Sequence, residues 1–240
     1  MASVDEVKGL HVRAPVAARE RRLAARLAVD GREPEDAQLR AVVEDAQLLG
    51  SLELAGVRPR WEAVRASRAS GEEAGPVGSL RRAHTAVDPR SPLTVDGIRA
   101  WHAALLGPVG FRRDERARDG SPPAPPALIP GRLALLEEWL GARSAEDLQP
   151  EQAAALAMAR IVEILPFDDG NGRVARLAAS HLMVRGGRRP PILVAADGAR
   201  LVAGLQAAFR LETEALATLL DEASDRALDV MIQALEKGEI

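Results

Sequence analysis

The stretch that decides the fold of this chain runs from Leu165 to Arg176 and is written LPFDDGNGRVAR. Pro166 ends the apolar helix before it, because proline disfavours helical geometry in the preceding residue. Gly170 and Gly172, on either side of an asparagine, allow the backbone angles that turn successive N–H groups inward. A second helix begins at once. The sequence therefore predicts a tight loop between two helices.

The same loop has the chemical features of a phosphate-binding site. The first turn of a helix carries unpaired N–H groups and the positive end of the helix dipole. Arg173 and Arg176 lie three residues apart, hence on one helical face and above the same spot. Asp169 lies at the mouth of this site, and a bridging Mg²⁺ would reconcile its carboxylate with phosphate oxygens. The alternative is a well-capped interhelical turn in which Asp169 pairs with one of the two arginines.

This stretch is similar to the signature of the Fic/Doc family, whose members have the FIDO fold and carry H-P-F-x-(D/E)-G-N-G-R-x-x-R. The chain matches eight of the nine specified positions, namely Pro166, Phe167, Asp169, Gly170, Asn171, Gly172, Arg173 and Arg176. The ninth position is a histidine in the family and Leu165 here. The resemblance extends from about Thr94 to about Leu220. It includes residues 110–112, where relatives have a G-x-x-R segment, and residues 120–130, where they have a target-positioning flap.

The resemblance implies that the loop binds a nucleotide. Asp169 would hold Mg²⁺ between the α- and β-phosphates of ATP, and Phe167 would anchor the loop in the core. The residues implied to hold the phosphates are Gly170, Asn171 and Gly172, through backbone and side-chain amides, together with Arg173 and Arg176 at the terminal phosphates. In active relatives the motif histidine takes a proton from a Ser, Thr or Tyr hydroxyl of a target protein, and AMP is transferred to that oxygen.

Leu165 is the position at which this chain departs from an active enzyme of the family. A leucine side chain cannot act as a general base, and loss of such a base typically lowers a rate by about 10²–10⁴. His102 and His181 lie in predicted helices among apolar neighbours, which favours core packing over catalysis. We therefore predict a nucleotide-binding relative of protein adenylyltransferases whose activity is absent or strongly reduced. Two alternatives stay open: an active AMP transferase that uses another base, and a protein-binding module that uses no nucleotide.

A second departure concerns the inhibitory helix of many family members, which has the pattern (S/T)-x-x-x-E-(G/N). Residues 51–56 are SLELAG, so Ser51 and Gly56 match and Ala55 replaces the glutamate. In relatives this glutamate pairs with the second motif arginine and blocks productive ATP binding. The alternative is an ordinary helix end with Gly56 as its cap.

A third departure is the lack of tyrosine near Leu201, where relatives often have one, which weakens the prediction of an adenine pocket.

Hydrophobic periodicity predicts an all-α fold. Apolar residues recur at helical spacing along 36–49 and 94–106, and the stretch 150–164 is apolar on several sides, which makes it a central helix. Further helices are predicted over 15–28, 61–67, 133–140, 172–185, 199–211 and 213–237. Tyrosine is absent and runs of β-branched residues are short, so strands are not expected.

Proline- and glycine-rich segments divide the helices. Loops are predicted over 71–78 and over 120–130, where five prolines favour an extended flap, a hairpin or a rigid linker rather than a helix. The predicted organisation is an N-terminal helical extension at 1–90, with the degenerate inhibitory helix near 36–56, followed by a Fic core at 91–240.

The composition of the 240 residues limits the partners of this chain. A formal net charge of −3 gives no bulk attraction to nucleic acid or to membrane surfaces. Cysteine is absent, so disulfides are excluded and a reducing cytoplasm is the expected location. The N-terminus lacks the apolar segment of a signal peptide, and no apolar run is long enough to span a membrane. The expected partners are a nucleotide, Mg²⁺ and an unidentified target protein, and a homodimer stays open.

Overall fold

The structure, a computed structural model, describes residues 16, 18–29, 31, 37–71, 74–116, 122–142 and 147–237. These residues are mainly helical and contain no β-strand, which confirms the predicted all-α fold. The α-helices are α1 (18–29), α2 (Ala37–Leu54), α3 (Trp61–Ser70), α4 (Gly75–Thr85), α5 (Val95–Leu106), α6 (Ile129–Gly141), α7 (Pro150–Ile164), α8 (Asn171–Arg185), α9 (Gly198–Ala208) and α10 (Glu214–Lys237). Short 3₁₀ helices over Pro126–Leu128 and Ala195–Asp197 precede α6 and α9.

Helices α7 and α8 form the centre of the molecule and pack against each other more extensively than any other described pair. Their contact is rich in small side chains, and Ala154, Ala155 and Ala178 are fully buried. Small residues at a helix contact let the two backbones approach closely. Pro150 lies in the first turn of α7, where its missing N–H has no helical partner to lose. This pair holds the loop 165–170 at one end of the core.

Helix α2 is fixed in place by a close backbone contact and a buried ion network. A Cβ atom on Gly50 would lie 1.8 Å from the carbonyl oxygen of Leu193, so only glycine fits there. The carboxylate of Asp45 is fully buried and pairs with Arg81 of α4 at 2.9 Å and Arg68 of α3 at 3.2 Å. These contacts set the C-terminal end of α2 beside α8.

The buried apolar side chains form two clusters. The larger surrounds the central pair and includes Trp101, Met158 and Phe167, and the smaller joins α1, α2 and α10 through residues such as Leu23 and Leu228. The apolar faces of these helices are therefore turned toward one another. Among the helices that the structure describes, none combines the length and apolar character needed to cross a membrane.

Helix α4 and the start of α6 differ from the sequence prediction. The predicted loop over 71–78 is wrong from Gly75 onward, where α4 begins with Pro76 in its first turn. The predicted lack of helix over 120–130 is wrong from Pro126 onward, because a 3₁₀ helix begins there and α6 begins at Ile129. A proline in the first helical turn lacks only an N–H that would have no partner, so it can start a helix. Residues 117–121 of the flap region and residues 1–15 lie outside the described part of the chain.

Candidate phosphate-binding site

Leu165 ends α7 in a left-handed backbone conformation. Its φ is 52° and its ψ is 62°, and its N–H donates to the carbonyl of Ile161 at 3.0 Å. Apart from glycines, the only other described residue with positive φ is Leu211. Asn, Asp and His are enriched in this conformation, whereas leucine is uncommon there. The backbone at position 165 is thus better suited to the histidine of the family motif than to the residue present.

Arg112 holds this unusual helix end from below. Its side chain is almost fully buried and donates from Nε to the carbonyl of Leu165 at 2.6 Å and from Nη2 to that of Ile164 at 3.3 Å. The same guanidinium donates to the carbonyl of Ala124, in the predicted flap region, and its backbone N–H donates to the carbonyl of Pro166 at 2.9 Å. The sequence places Arg112 in a segment that resembles the family's G-x-x-R, but it does not predict these contacts. Every residue has a backbone carbonyl, so no residue type identifies the acceptors of the guanidinium.

Asn171 closes the loop onto Phe167. The Phe167 N–H donates to Asn171 Oδ1 at 2.9 Å, and Asn171 Nδ2 donates to the Phe167 carbonyl at 2.8 Å. Phe167 is buried, and its ring stacks on that of His102 with centroids 3.8 Å apart. The anchoring role of Phe167 therefore has a contact basis. Asn171 Nδ2 uses one of its two N–H bonds within the loop, and the backbone N–H of Asn171 has no acceptor among the described residues.

The first turn of α8 presents unpaired backbone donors. Gly170, with φ of 80°, precedes the helix and accepts from the N–H of Val174 at 3.0 Å. The N–H groups of the three residues between them, Asn171, Gly172 and Arg173, have no hydrogen-bond acceptor within the described residues. Three adjacent donors at the positive end of a helix dipole form an anion-binding arrangement.

Asp169 and Arg173 form the ion pair that the alternative interpretation expects. Arg173 Nη2 lies 3.2 Å from Asp169 Oδ2, and the Asp169 side chain is 79% exposed. The other carboxylate oxygen accepts from the N–H of Gly170 at 2.6 Å. The Arg173 side chain is only 14% exposed, so the pair is half-buried, and the Asp169 carboxylate lies on its solvent side. The described residues contain no group of three or more His, Cys, Asp or Glu side chains that could hold a metal ion.

Arg176 lies under the loop and not at its surface. Its Nε donates to Ser51 Oγ at 2.9 Å and its Nη2 to the Ser51 carbonyl at 2.8 Å. Burial, and secondarily the neighbouring Arg173, lowers the pKa of Arg176 to about 10. Within the described part of the chain no carboxylate pairs with this guanidinium. The end of α2 therefore covers Arg176, and its guanidinium lies beside Ser51 and not on the open surface of the loop.

The end of α2 is where the degenerate inhibitory motif was predicted. Ser51 lies in its last turn, Ala55 follows the helix one turn later, and Gly56 takes a φ of 81°. The N–H of Val57 donates back to the carbonyl of Leu52 at 2.9 Å, a glycine-type helix end. The end of α2 therefore has both features: Gly56 caps the helix, and Ser51 contacts the second motif arginine, Arg176.

The other titratable candidates do not face the position of the missing base. His102 Nε2 contacts the Asp169 carbonyl at 3.2 Å from behind the loop, and burial is the main cause that lowers its pKa. His181 contacts the Ser91 carbonyl at 2.9 Å and packs edge-on against Trp101. Both histidines are core residues, as the sequence indicated. Asp168 is exposed and pairs with Arg116 at 2.7 Å.

The comparisons with known proteins agree with this geometry. Residues 92–183 match the model of the Fic/DOC family, and this match includes the loop and the first turns of α8. The protein adenylyltransferase Fic of Drosophila melanogaster is 32% identical over 152 residues, which cover 59% of this chain and 30% of that protein. The corresponding protein of Drosophila willistoni is 28% identical over 148 residues, with the same coverage of 59% and 30%. The chain thus matches about 30% of the length of these curated relatives.

Solved structures share the fold. A Fic-domain-containing signalling protein from Bacteroides thetaiotaomicron has a TM-score of 0.73 at 20% identity, covering 92% of this chain and 98% of that one. Fic-1 from C. elegans has a TM-score of 0.72 at 20% identity, covering 98% of this chain and 79% of that one. IbpAFic2, solved in complex with adenylylated Cdc42, has a TM-score of 0.50 at 17% identity, covering 85% and 64%. At these identities the likeness concerns the fold alone.

Proposed function

We propose that this protein binds a nucleoside triphosphate with Mg²⁺ at the loop 165–173 and that its AMP-transfer activity is absent or strongly reduced. The observation that carries the proposal is the row of three unpaired N–H groups at Asn171, Gly172 and Arg173, beside the half-buried Arg176, which has no described carboxylate partner. A phosphate supplies what both features lack, namely acceptor oxygens and negative charge. The curated relatives are named protein adenylyltransferases, which supports a nucleotide of the ATP type.

In this proposal each residue of the loop has one task. The three N–H groups bind phosphate oxygens, and Arg173 and Arg176 neutralise the terminal phosphates. Asp169 leaves its pair with Arg173 and binds Mg²⁺, which in turn would neutralise the phosphates beside it. Releasing Arg173 from this pair frees a second cation for the nucleotide.

The missing step is proton removal from the target hydroxyl. Leu165 occupies the motif histidine position and can neither accept nor donate a proton. His102 and His181 are bound to backbone carbonyls elsewhere, so neither replaces it. A loss of about 10²–10⁴ in rate is the expected consequence.

A target protein is part of the proposal, since IbpAFic2 was solved in complex with adenylylated Cdc42. Leu106 and Leu128 have exposed side chains, and Leu106 Cδ1 lies 3.0 Å from where a Cβ on Gly170 would be. An apolar residue this close to the loop suits contact with a protein segment.

The absence of cysteine supports a place in the cytoplasm.

Calorimetry with ATP and ADP, each with and without Mg²⁺, tests nucleotide binding. We expect binding that Mg²⁺ strengthens and that Asp169→Ala weakens at least tenfold. Asp168→Ala is the matched control, because Asp168 is the adjacent exposed carboxylate and pairs with Arg116 instead. No heat at millimolar nucleotide, or equal effects of the two substitutions, would exclude this proposal. Mass spectrometry for added AMP on lysate proteins then separates a silent site from an active transferase.

A further inference from the structure

A large open cleft extends along α8 from Leu177, the residue after Arg176, to Arg185 at the far end of the helix. Its volume is about 1130 Å³, and its walls come from α2, from residues 87–90 before α5, and from the N-terminal end of α7 and the C-terminal end of α8. Arg185, in this cleft, is the last residue of α8, whereas the loop precedes the first residue, Asn171. At a rise of about 1.5 Å per residue, the two ends of α8 are roughly 21 Å apart. The end of the cleft around Arg185 therefore lies apart from the loop.

Three arginines in the cleft have no anionic partner. Arg40, Arg90 and Arg185 line it, all three are exposed, and no guanidinium among them makes an ion pair or hydrogen bond with any described residue. The other charged lining residues are already paired. Arg188 pairs with Asp221, and Arg189 with Glu20 at 3.2 Å.

Negative charge in the cleft is scarce. Glu44 is the carboxylate among its described lining residues, and it pairs with Arg81 at 3.2 Å. Asp88 lies near the rim, where one carboxylate oxygen accepts from the backbone N–H of Arg90 at 2.9 Å. The balance of unpaired charge in the cleft is positive, although the whole chain carries a formal charge of −3. A local excess of the opposite sign attracts anionic ligands.

Helix stabilisation does not explain these arginines together. Arg185 in the last turn of α8 interacts favourably with the negative end of that helix dipole. Arg40 lies in the first turn of α2, where a positive charge is disfavoured by the same effect. Arg90 lies in a turn outside any helix. Their common feature is the cleft that they line.

The floor of the cleft is apolar. Leu23, Val43 and Met231 come from the smaller apolar cluster, and Trp101 and Leu182 come from the larger one. Small-molecule sites typically measure about 300–1,000 Å³, so this open cleft suits a longer ligand. A ligand that satisfies both surfaces carries carboxylates for the arginines and apolar side chains for the floor.

We propose that this cleft binds an acidic peptide segment of a partner protein, with glutamate or aspartate side chains on Arg40, Arg90 and Arg185 and apolar side chains on the floor. This site requires no nucleotide and is independent of the function proposed above. The docking surface lies at the C-terminal end of α8, whereas the loop precedes the N-terminal end of that helix.

Fluorescence anisotropy on the whole chain tests the proposal with a labelled 12-residue peptide of glutamate, leucine and alanine. We expect saturable binding that weakens at least tenfold in the triple variant Arg40→Glu, Arg90→Glu, Arg185→Glu. The matched control is Arg58→Glu, Arg60→Glu, Arg132→Glu, which changes the net charge equally at three exposed arginines outside the cleft. The control is expected to retain binding within about twofold. If both triple variants lost peptide affinity equally, the net charge of the protein would explain the loss, and the proposal of a peptide site in the cleft would be overturned.

Two further probes define the ligand class. A peptide with glutamine in place of glutamate is expected to lose binding, and one with serine in place of leucine to lose most of it. A single-stranded DNA 12-mer that binds more tightly and with the same arginine dependence would overturn the assignment to an acidic peptide. Amide shifts in NMR spectra of the unsubstituted protein are expected at residues 84–90 and 182–189. Shifts confined to 165–173, or no binding at about 1 mM peptide, would also overturn it.

Discussion

Ser51 binds the guanidinium of Arg176 with two oxygens, its hydroxyl at 2.9 Å and its carbonyl at 2.8 Å. This contact joins the last turn of α2 to the second turn of α8 and supplies acceptors to the half-buried arginine without neutralising it. Desolvation of a cation without a counter-charge is unfavourable, and it lowers the pKa of Arg176. The pair therefore keeps Arg176 in place while leaving its charge available to an anion.

A carboxylate of the protein placed next to Arg176 should compete with the phosphates of the nucleotide for this guanidinium. Ala55 lies four residues after Ser51, so the two positions share one side of the helix end. We expect Ala55→Glu to place a carboxylate near Arg176 and to weaken ATP binding at least tenfold in calorimetry. Ala55→Gln adds a side chain of nearly the same size without the charge and should change the affinity less than threefold. Equal effects would point to crowding instead of charge.

Restoring the missing base should restore chemistry if the remaining site is intact. We expect Leu165→His to raise AMP transfer by about 10²–10⁴, measured by mass spectrometry of the protein itself and of lysate proteins incubated with ATP and Mg²⁺. Leu165→Asn is the control, because asparagine also suits a φ of 52° but cannot act as a base. An unsubstituted protein as active as the histidine variant would disprove the loss of activity. Adding Ala55→Glu to that variant should suppress the gain.

The loop should depend for its stability on Asn171. Replacing this residue by alanine removes both hydrogen bonds to the buried backbone of Phe167, each about 2.8–2.9 Å long. We expect Asn171→Ala to lower the free energy of unfolding by about 1–3 kcal/mol in urea denaturation. Asn171→Asp keeps the acceptor for the Phe167 N–H and should lose less. A loss below about 0.5 kcal/mol in the alanine variant would mean that the loop holds its shape without this clamp.

His84 should make the fold sensitive to mild acid. Burial, with Arg81 as the second cause, lowers the pKa of His84 from 6.5 to about 4. The unfolded chain then binds a proton that the folded chain excludes, so stability is complete above about pH 6.5 and falls as the pH decreases toward 4. Between pH 7 and pH 5 this one group should cost about 2 kcal/mol. Urea denaturation at the two pH values should show a smaller loss in His84→Gln, and an equal loss would refute the assignment.

The parts of the fold that the sequence predicted are those with local causes. Thr94 caps α5 by accepting from the N–H of Gly97 at 3.0 Å, as a threonine before an amphipathic run indicates. Pro150 starts α7, and the glycines around Asn171 make the turn into α8. The start of α4 is not predicted from the sequence, because glycine and proline over 71–78 also favour a loop, and a proline in a first turn is equally compatible with a helix.

The sequence by itself determined which chemical groups this protein has: the motif of residues 165–176, its two arginines, and a leucine where the Fic/Doc signature has histidine. Local spacing is enough for these, because the loop and the first turns of α8 are contiguous in the chain. Only the tertiary structure decided that Ser51 covers Arg176, that Arg112 holds the end of α7, and that three arginines from separate segments line one cleft. Those contacts join residues far apart in the chain, and packing of the helices brings them together, which no local pattern encodes.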